Sequence, residues 1–320
     1  MSNLKKTSIG GQALIEGIMM RGPKKTVMAI RKKDGSIEIV PRNIKSIKDK
    51  CKIFSLPIIR GVVGFIESMT VGYKAMMDSA ELSGYLEEEL KEEKSGEEKQ
   101  EKKENTVLVK VITVVSTVLA VILSVGLFIY LPSFVFKIVN HLLLGAISSW
   151  QAVFEGILKI LIFVGYMAAV SQMKEIKRVY RYHGAEHKTI FCYEAGLPLT
   201  VENVKTQSRF HPRCGTSFMI LMLIVSIAVT LALDLIVPWL KGVLWLRTII
   251  KLLLVPLICG IGYELIKICG RYDNIATRII AYPGLLLQKL TVYEPDESMI
   301  EIAIAAMNEV IPENEEEDKW

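Results

Sequence analysis

Five residues in the middle of the chain have the types and spacing of a metal centre. His183, Glu186 and His187 make an H-x-x-E-H run, and His211 and Cys214 follow as an H-x-x-C pair. The chain has four histidines in all, and three of them fall here. On a helix, positions four apart lie on one face about one turn apart, so His183 and His187 can offer their imidazoles to one divalent ion. Glu186 sits about 60° round the same helix from His183 and can reach a water beside that ion. This is the inverted order of the zinc-protease motif, in which the histidines bind and the glutamate is the base. His211 and Cys214 would complete a tetrahedral shell around Zn²⁺ or another divalent transition metal. Four bound ligands make a closed, structural site, whereas an open position admits water and makes chemistry possible. Isolated H-x-x-E-H runs also occur in helices where they do nothing, so the weight rests on the two pairs together.

These side chains need a frame, and the composition describes one. The chain has 320 residues, of which 51% are hydrophobic and 23% charged, and its mean hydropathy is +0.36. Such values fit a membrane protein in which apolar runs and charges are segregated. Four runs are long enough to cross a hydrocarbon core of about 30 Å: Val107–Leu131, Trp150–Gln172, Ser217–Val237 and Val243–Ile268. Residues 134–147 are apolar but shorter, and read as a re-entrant or interfacial helix. Glu155 and Lys159 are spaced to pair within the second run. Lys and Arg crowd residues 1–60 and 173–213, whereas residues 132–149 hold only Lys137 and residues 238–242 only Lys241. That asymmetry places both termini and the 173–213 loop in the cytoplasm. The second run then continues as a helix through His183 and His187 to Gly196-Leu197-Pro198, and His211 and Cys214 immediately precede the third.

The net charge of +5 is modest, and no interleaved aromatic and basic pattern indicates nucleic-acid binding. The expected partner is the lipid bilayer. Cys51, Cys192, Cys214, Cys259 and Cys269 form no C-x-x-C and read as free thiols. Residues 1–50 lack the apolar core of a signal peptide.

The fold class is therefore a mainly α-helical multi-pass membrane protein, with about four transmembrane helices and a small cytoplasmic N-terminal segment containing β structure. Residues 1–52 carry glycines read as tight turns, with an anion cradle as the lesser alternative. A hairpin of Thr26–Arg31 and Ser36–Val40 about Asp34-Gly35 follows them. Residues 53–82 make an amphipathic interfacial helix, and 83–105 a charged linker. Residues 106–172 hold the first two membrane helices, 173–215 the loop with the metal residues, 216–269 the last two helices, and 270–320 a cytoplasmic segment. In that last segment Asp296 caps a helix and the acidic tail is solvated. Glu264, near the end of the fourth run, is a candidate further ligand, or else pairs with Lys267. Asp273 is a candidate for a second layer around the metal, or part of a helix cap.

Several motifs together resemble the YqhQ-like family of bacterial membrane proteins. They are Gly10-Gly11-Gln12-Ala13, Glu16-Gly17, Met19-Met20-Arg21-Gly22, His183-Gly184-Ala185-Glu186-His187-Lys188, His211-Pro212-Arg213-Cys214-Gly215-Thr216, Pro283-Gly284-Leu285 and Glu294-Pro295-Asp296. The likeness spans all but the charged linker and the acidic tail. It implies a metal-dependent enzyme and supplies no reaction. The residues themselves favour a zinc hydrolase at the cytoplasmic membrane face, acting on a peptide, a lipid-linked molecule or a small amide or ester. The alternative is a non-enzymatic scaffold or regulator stapled by zinc. Transport is less well supported, because few charges fall within the spans.

Overall fold

The computed structural model describes residues 6–44, 51–85, 105–272, 274–314 and 317–318, with only the backbone for 105–113. Most of the expected charged linker, and Asp273, lie outside the described residues. The chain divides into two units. The first comprises Met1–Glu89, Met167–Leu221 and Cys259–Trp320, and the second Leu90–Tyr166 and Met222–Ile258.

The first unit is built on a four-stranded antiparallel sheet: β1 (Gly10–Leu14), β2 (Gly17–Arg21), β3 (Thr26–Arg31) and β4 (Ile37–Arg42), paired in chain order. Side chains alternate across a strand, and here both faces are covered. Ile18, Met20, Val27 and Ala29 point into a core with Tyr182, Ala185, Met299, Ala303 and Met307. Met19, Met28 and Ile30 point the other way, towards Ala75. Three helices supply these covers: α1 (Ile59–Leu82), α5 (Lys174–Glu194) and α11 (Glu297–Val310). The expected hairpin is present as β3 and β4, with Gly35 at φ 83° in its turn. The glycines before it are mostly not turn residues. Gly10 and Gly11 open β1, Gly17 opens β2, and the turn between them is Ile15-Glu16, with Glu16 at φ 53°.

Two further expectations change in this unit. The acidic tail is not wholly solvated, because Asp318 is buried and accepts from the Thr7 hydroxyl at 2.5 Å, the Ser8 amide at 2.9 Å and the Tyr193 hydroxyl at 2.8 Å. The Ser8 hydroxyl adds a further donor at 3.1 Å, so this tail carboxylate is fixed to the N-terminal segment and to α5. The helix bearing His183 is also not a direct continuation of the preceding apolar one. That helix, α4 (Gln151–Val170), ends before α5, and Met173 between them is extended at ψ 137°.

The second unit is helical. The first apolar helix, α2 (Asn105–Val125), passes through a π-turn at Gly126–Tyr130 straight into α3 (Leu131–Leu142). The segment read as re-entrant is thus mostly an extension of that helix, since the extra residue per turn at Gly126–Tyr130 is absorbed without ending it. Among the described residues three helices, Val114–Leu142, Ser148–Val170 and Gly215–Ile236, are long and apolar enough to cross a membrane. The pair α8 (Leu244–Leu253) and α9 (Val255–Arg271), bent by 43°, makes a fourth if it is one span. Polarity in this unit is inverted. Val118, Leu119, Ile122, Leu123, Leu235 and Ile236 are exposed, while Arg247 and Glu155 are each 1% exposed and Asp234 and Lys251 are buried. Arg247 donates to Glu155 at 2.7 Å and to Asp234 at 2.9 Å, and Lys251 donates to Glu155 at 2.7 Å. Ser133 on α3 and Gln151 on α4 complete the shell of Glu155 at 2.9 and 2.8 Å. Glu155 therefore pairs with α8 rather than with Lys159 one turn on, and the two charges on α8 account for both of its oxygens.

Candidate metal centre

Helix α5 carries the motif on its inner side: residues 184–190 are all buried, and His183 is half-buried. A polar run tolerates such burial only when its polar groups have partners. His183 places Nδ1 3.1 Å from the carbonyl oxygen of Thr291, at the end of α10 (Ile275–Thr291). His187 places Nδ1 2.6 Å from the carbonyl oxygen of Arg209. A carbonyl can only accept, so each Nδ1 must carry its proton. Nε2 is then the nitrogen of each ring left to bind a cation. The rings stand edge to face with centroids 4.4 Å apart, and His183 Nε2 lies 3.2 Å from Cys214 Sγ. Ligand atoms of His183, His187 and Cys214 all fall within 4.8 Å of one another.

Cys214 is brought here by the loop that precedes α7 (Gly215–Ile236). Gln288, fully buried on α10, clamps that loop: its carbonyl oxygen accepts from the His211 amide at 2.8 Å, and its amide nitrogen donates to the His211 carbonyl at 2.7 Å and to the Ser217 hydroxyl at 3.0 Å. Gly184 permits the other close approach. A Cβ there would collide with the carbonyl oxygen of Tyr293, which leads from α10 towards α11.

Electrostatics favour a thiolate in this position. Burial alone would raise the Cys214 thiol, but the imidazoles of His183 and His187 outweigh it and hold Cys214 well below its ordinary value. Burial likewise opposes a charged His183, yet the adjacent Cys214 sulfur raises it to about 9. Each of the two groups thus favours the charged form of the other. Two ligands on tetrahedral zinc, with Zn–S about 2.3 Å and Zn–N about 2.0 Å, stand roughly 3.5 Å apart. The 3.2 Å separation is close to that edge, so the donor set fits a soft-to-borderline divalent cation.

Glu186 lies beside the group. Burial raises its carboxyl above the ordinary range, against the pull of the two histidines. The Gly11 backbone of β1 lies against one side of the carboxylate, and Oε2 is buried with no partner among the described residues. A Cβ on Gly11 would stand 2.9 Å from both Cγ and Cδ of Glu186. Only glycine leaves room for the carboxylate at this strand.

His211 stands apart from the three-residue group. Its Nδ1 is 3.3 Å from the Arg213 amide nitrogen, and its Nε2 is 3.8 Å from Glu194 and 3.3 Å from the Arg213 guanidinium. Burial lowers His211 to about 4, so it is neutral there. Glu194, despite its own burial, is held below the usual carboxylate range by His211 and Arg213. The ring of His211 remains 5.5 Å, centroid to centroid, from that of His187. Glu264 is also elsewhere, in a two-pronged ion pair with Arg60 that includes a 2.7 Å bond from Arg60 Nε. Lys267 is not its main partner, and a carboxylate held by a guanidinium fork is not presented to an ion.

Sequence spacing does not reveal Gly11, Gln288, Glu194 or the carbonyls of Thr291 and Arg209. The carbonyls have no side-chain signature at all. Gly11 was visible as part of a glycine pair, but its reason for being glycine lies on α5.

Comparison with known proteins supports the same grouping of segments in one chain. The uncharacterized protein YqhQ of Bacillus subtilis (strain 168) is 35% identical over 303 residues, covering 94% of this chain and 92% of the relative. No solved structure matches. The family model described as a protein of unknown function, DUF1385, matches residues 56–313, which include the candidate site and every helix described above. The chain belongs to the DUF1385 family.

Proposed function

We propose that the protein is a multi-pass membrane metalloenzyme that hydrolyses a substrate at the cytoplasmic face, with a divalent cation, zinc by donor type, on His183, His187 and Cys214. The observation that carries this reading is the pair of carbonyls that accept from both Nδ1–H groups and so leave both Nε2 atoms for the position beside the Cys214 sulfur. Metal-binding histidines are characteristically oriented by such partners. When bound, the cation would supply Lewis acidity and lower the pKa of water. Glu186 would hold the proton removed from the attacking water, its raised affinity for protons suiting a general base. Gly11 would leave room for the carboxylate beside β1, and Oε2 would take the proton. His211, Arg213 and Glu194 would brace the loop that carries Cys214.

Membrane insertion is supported by the inverted polarity of the helical unit, apolar outward and ionic inward. The positive-inside asymmetry puts both termini and α5 in the cytoplasm. Reporter fusions at Gly145 and Leu240 should then read as external, and fusions at Gly196 and at the C-terminus as internal. An external signal at Gly196 would contradict the placement.

Metal content tests the ligand assignment. About one divalent ion per chain should co-purify, and the double change His183→Ala with His187→Ala should abolish it. Wild-type stoichiometry in the double variant would refute the assignment.

One feature favours the second reading, a non-enzymatic scaffold stapled by zinc: Glu186, His187 and Cys214 are all buried. In that case the cation would tie α5 to the loop before α7, and loss of the ligands would loosen the fold without removing an activity.

A further inference from the structure

The helical unit contains an open cavity of about 590 Å³, with no connection to the metal chemistry in its lining. It is lined by Phe136, Lys137, Asn140, His141, Gln151 and Lys241, among others. Its ionisable lining residues are two lysines and a histidine, and no carboxylate is among them. The lysines come from different elements, Lys137 from α3 and Lys241 from the short helix Pro238–Gly242. Gln151, 7% exposed, also lines the cavity, and its amide donates to Glu155. That carboxylate is already neutralised by Arg247 and Lys251, so it does not offset the cavity lysines.

The mouth is preformed. Gly145, at φ 85°, donates its amide to the Asn140 carbonyl at 2.8 Å, and the Ser148 hydroxyl donates to the Gly145 carbonyl at 2.7 Å. Asn140 closes the loop by donating to Ser148 at 3.1 Å. Close by in sequence are Trp150, Trp239 and Trp245, each at least 63% exposed, and Leu144 at the lining is 95% exposed. Exposed tryptophans at one end of apolar helices mark the headgroup level of a bilayer. Phosphate is the anion most concentrated at that level, and paired ammonium groups are point-charge phosphate binders.

We infer that this cavity binds a phosphate group with Lys137 and Lys241 as its counter-charges, the phosphate coming either from an anionic lipid headgroup or from a soluble phosphate. Gln151 forms the polar floor and joins the site to the buried ion cluster. The exposed leucine at the mouth gives an acyl chain somewhere to lie in the first case and is idle in the second.

The full chain, purified in detergent, tests this with two probes. Native mass spectrometry would follow retention of phosphatidylglycerol against phosphatidylcholine, and calorimetry would follow inorganic phosphate. The double variants Lys137→Ala/Lys241→Ala and Lys137→Arg/Lys241→Arg are compared with wild type. Binding should weaken at least about tenfold in the alanine pair, the scale expected for losing two charge-assisted contacts, and survive in the arginine pair. Selective retention of phosphatidylglycerol identifies the headgroup, and a response to inorganic phosphate identifies the soluble anion. Either supports the site. Absence of both in wild type, equal binding in the alanine pair, or equal loss in both pairs would overturn it. Folding of each variant is read from its thermal transition, and both should match wild type because the lysines are not in the buried cluster.

Discussion

Arg247→Ala should destabilise the helical unit by about 3–5 kcal/mol, the usual cost of removing one partner from a buried ionic cluster. Arg247 is 1% exposed and bridges Glu155 on α4 to Asp234 on α7. Without it, Asp234 loses the partner that holds both of its oxygens, and Glu155 keeps only Lys251 and two neutral donors. The penalty is large because the cluster sits inside an apolar bundle, where water cannot take the guanidinium's place. Adding Asp234→Asn to Arg247→Ala should recover part of the loss, since it removes the charge left alone. The measurement is a thermal or denaturant transition of the purified protein in detergent. A change under about 0.5 kcal/mol, the range of ordinary surface substitutions, would show that the cluster does not hold these helices together.

Glu186→Gln should leave metal and fold in place and reduce function by at least ~10²-fold, the lower scale for loss of a general base. The amide keeps the size of the carboxylate. It therefore still fits against Gly11 of β1. What it loses is the proton acceptor at the position where Oε2 is buried without a partner. The readout is complementation of the deletion phenotype, with metal content measured on the same variant. Full complementation with metal retained would exclude catalysis by Glu186 and leave the zinc staple as the better account.

How much of this was legible in the sequence depended on the range of the interaction. The H-x-x-E-H spacing placed His183, Glu186 and His187 on one helix, because helical period is a local property. The apolar runs marked the long helices for the same reason. The hairpin about Asp34-Gly35 was local too. Two misses were local, the break at Met173 and the π-turn at Gly126–Tyr130, but the side-chain partners that were missed are of long range. Glu155 was matched to Lys159 four residues on, but its partners are 92 and 96 residues away. Glu264 looked free for a metal because Arg60, 204 residues earlier, cannot be placed beside it by spacing. His211 had the right type and position for a ligand, yet Glu194 and Arg213 turn its nitrogens aside. Asp318 looked like part of a solvated tail, because its donors are Thr7 and Ser8 at the opposite end of the chain and Tyr193 in its middle.

The most direct test is X-ray absorption at the metal edge of the protein as purified, compared with Cys214→Ser. A cation on His183, His187 and Cys214 predicts two imidazole nitrogens and one sulfur at about 2.3 Å if the ion is zinc, with the sulfur lost in the serine variant. A shell made only of nitrogen and oxygen in the wild type, or a sulfur signal that persists in Cys214→Ser, would contradict the site.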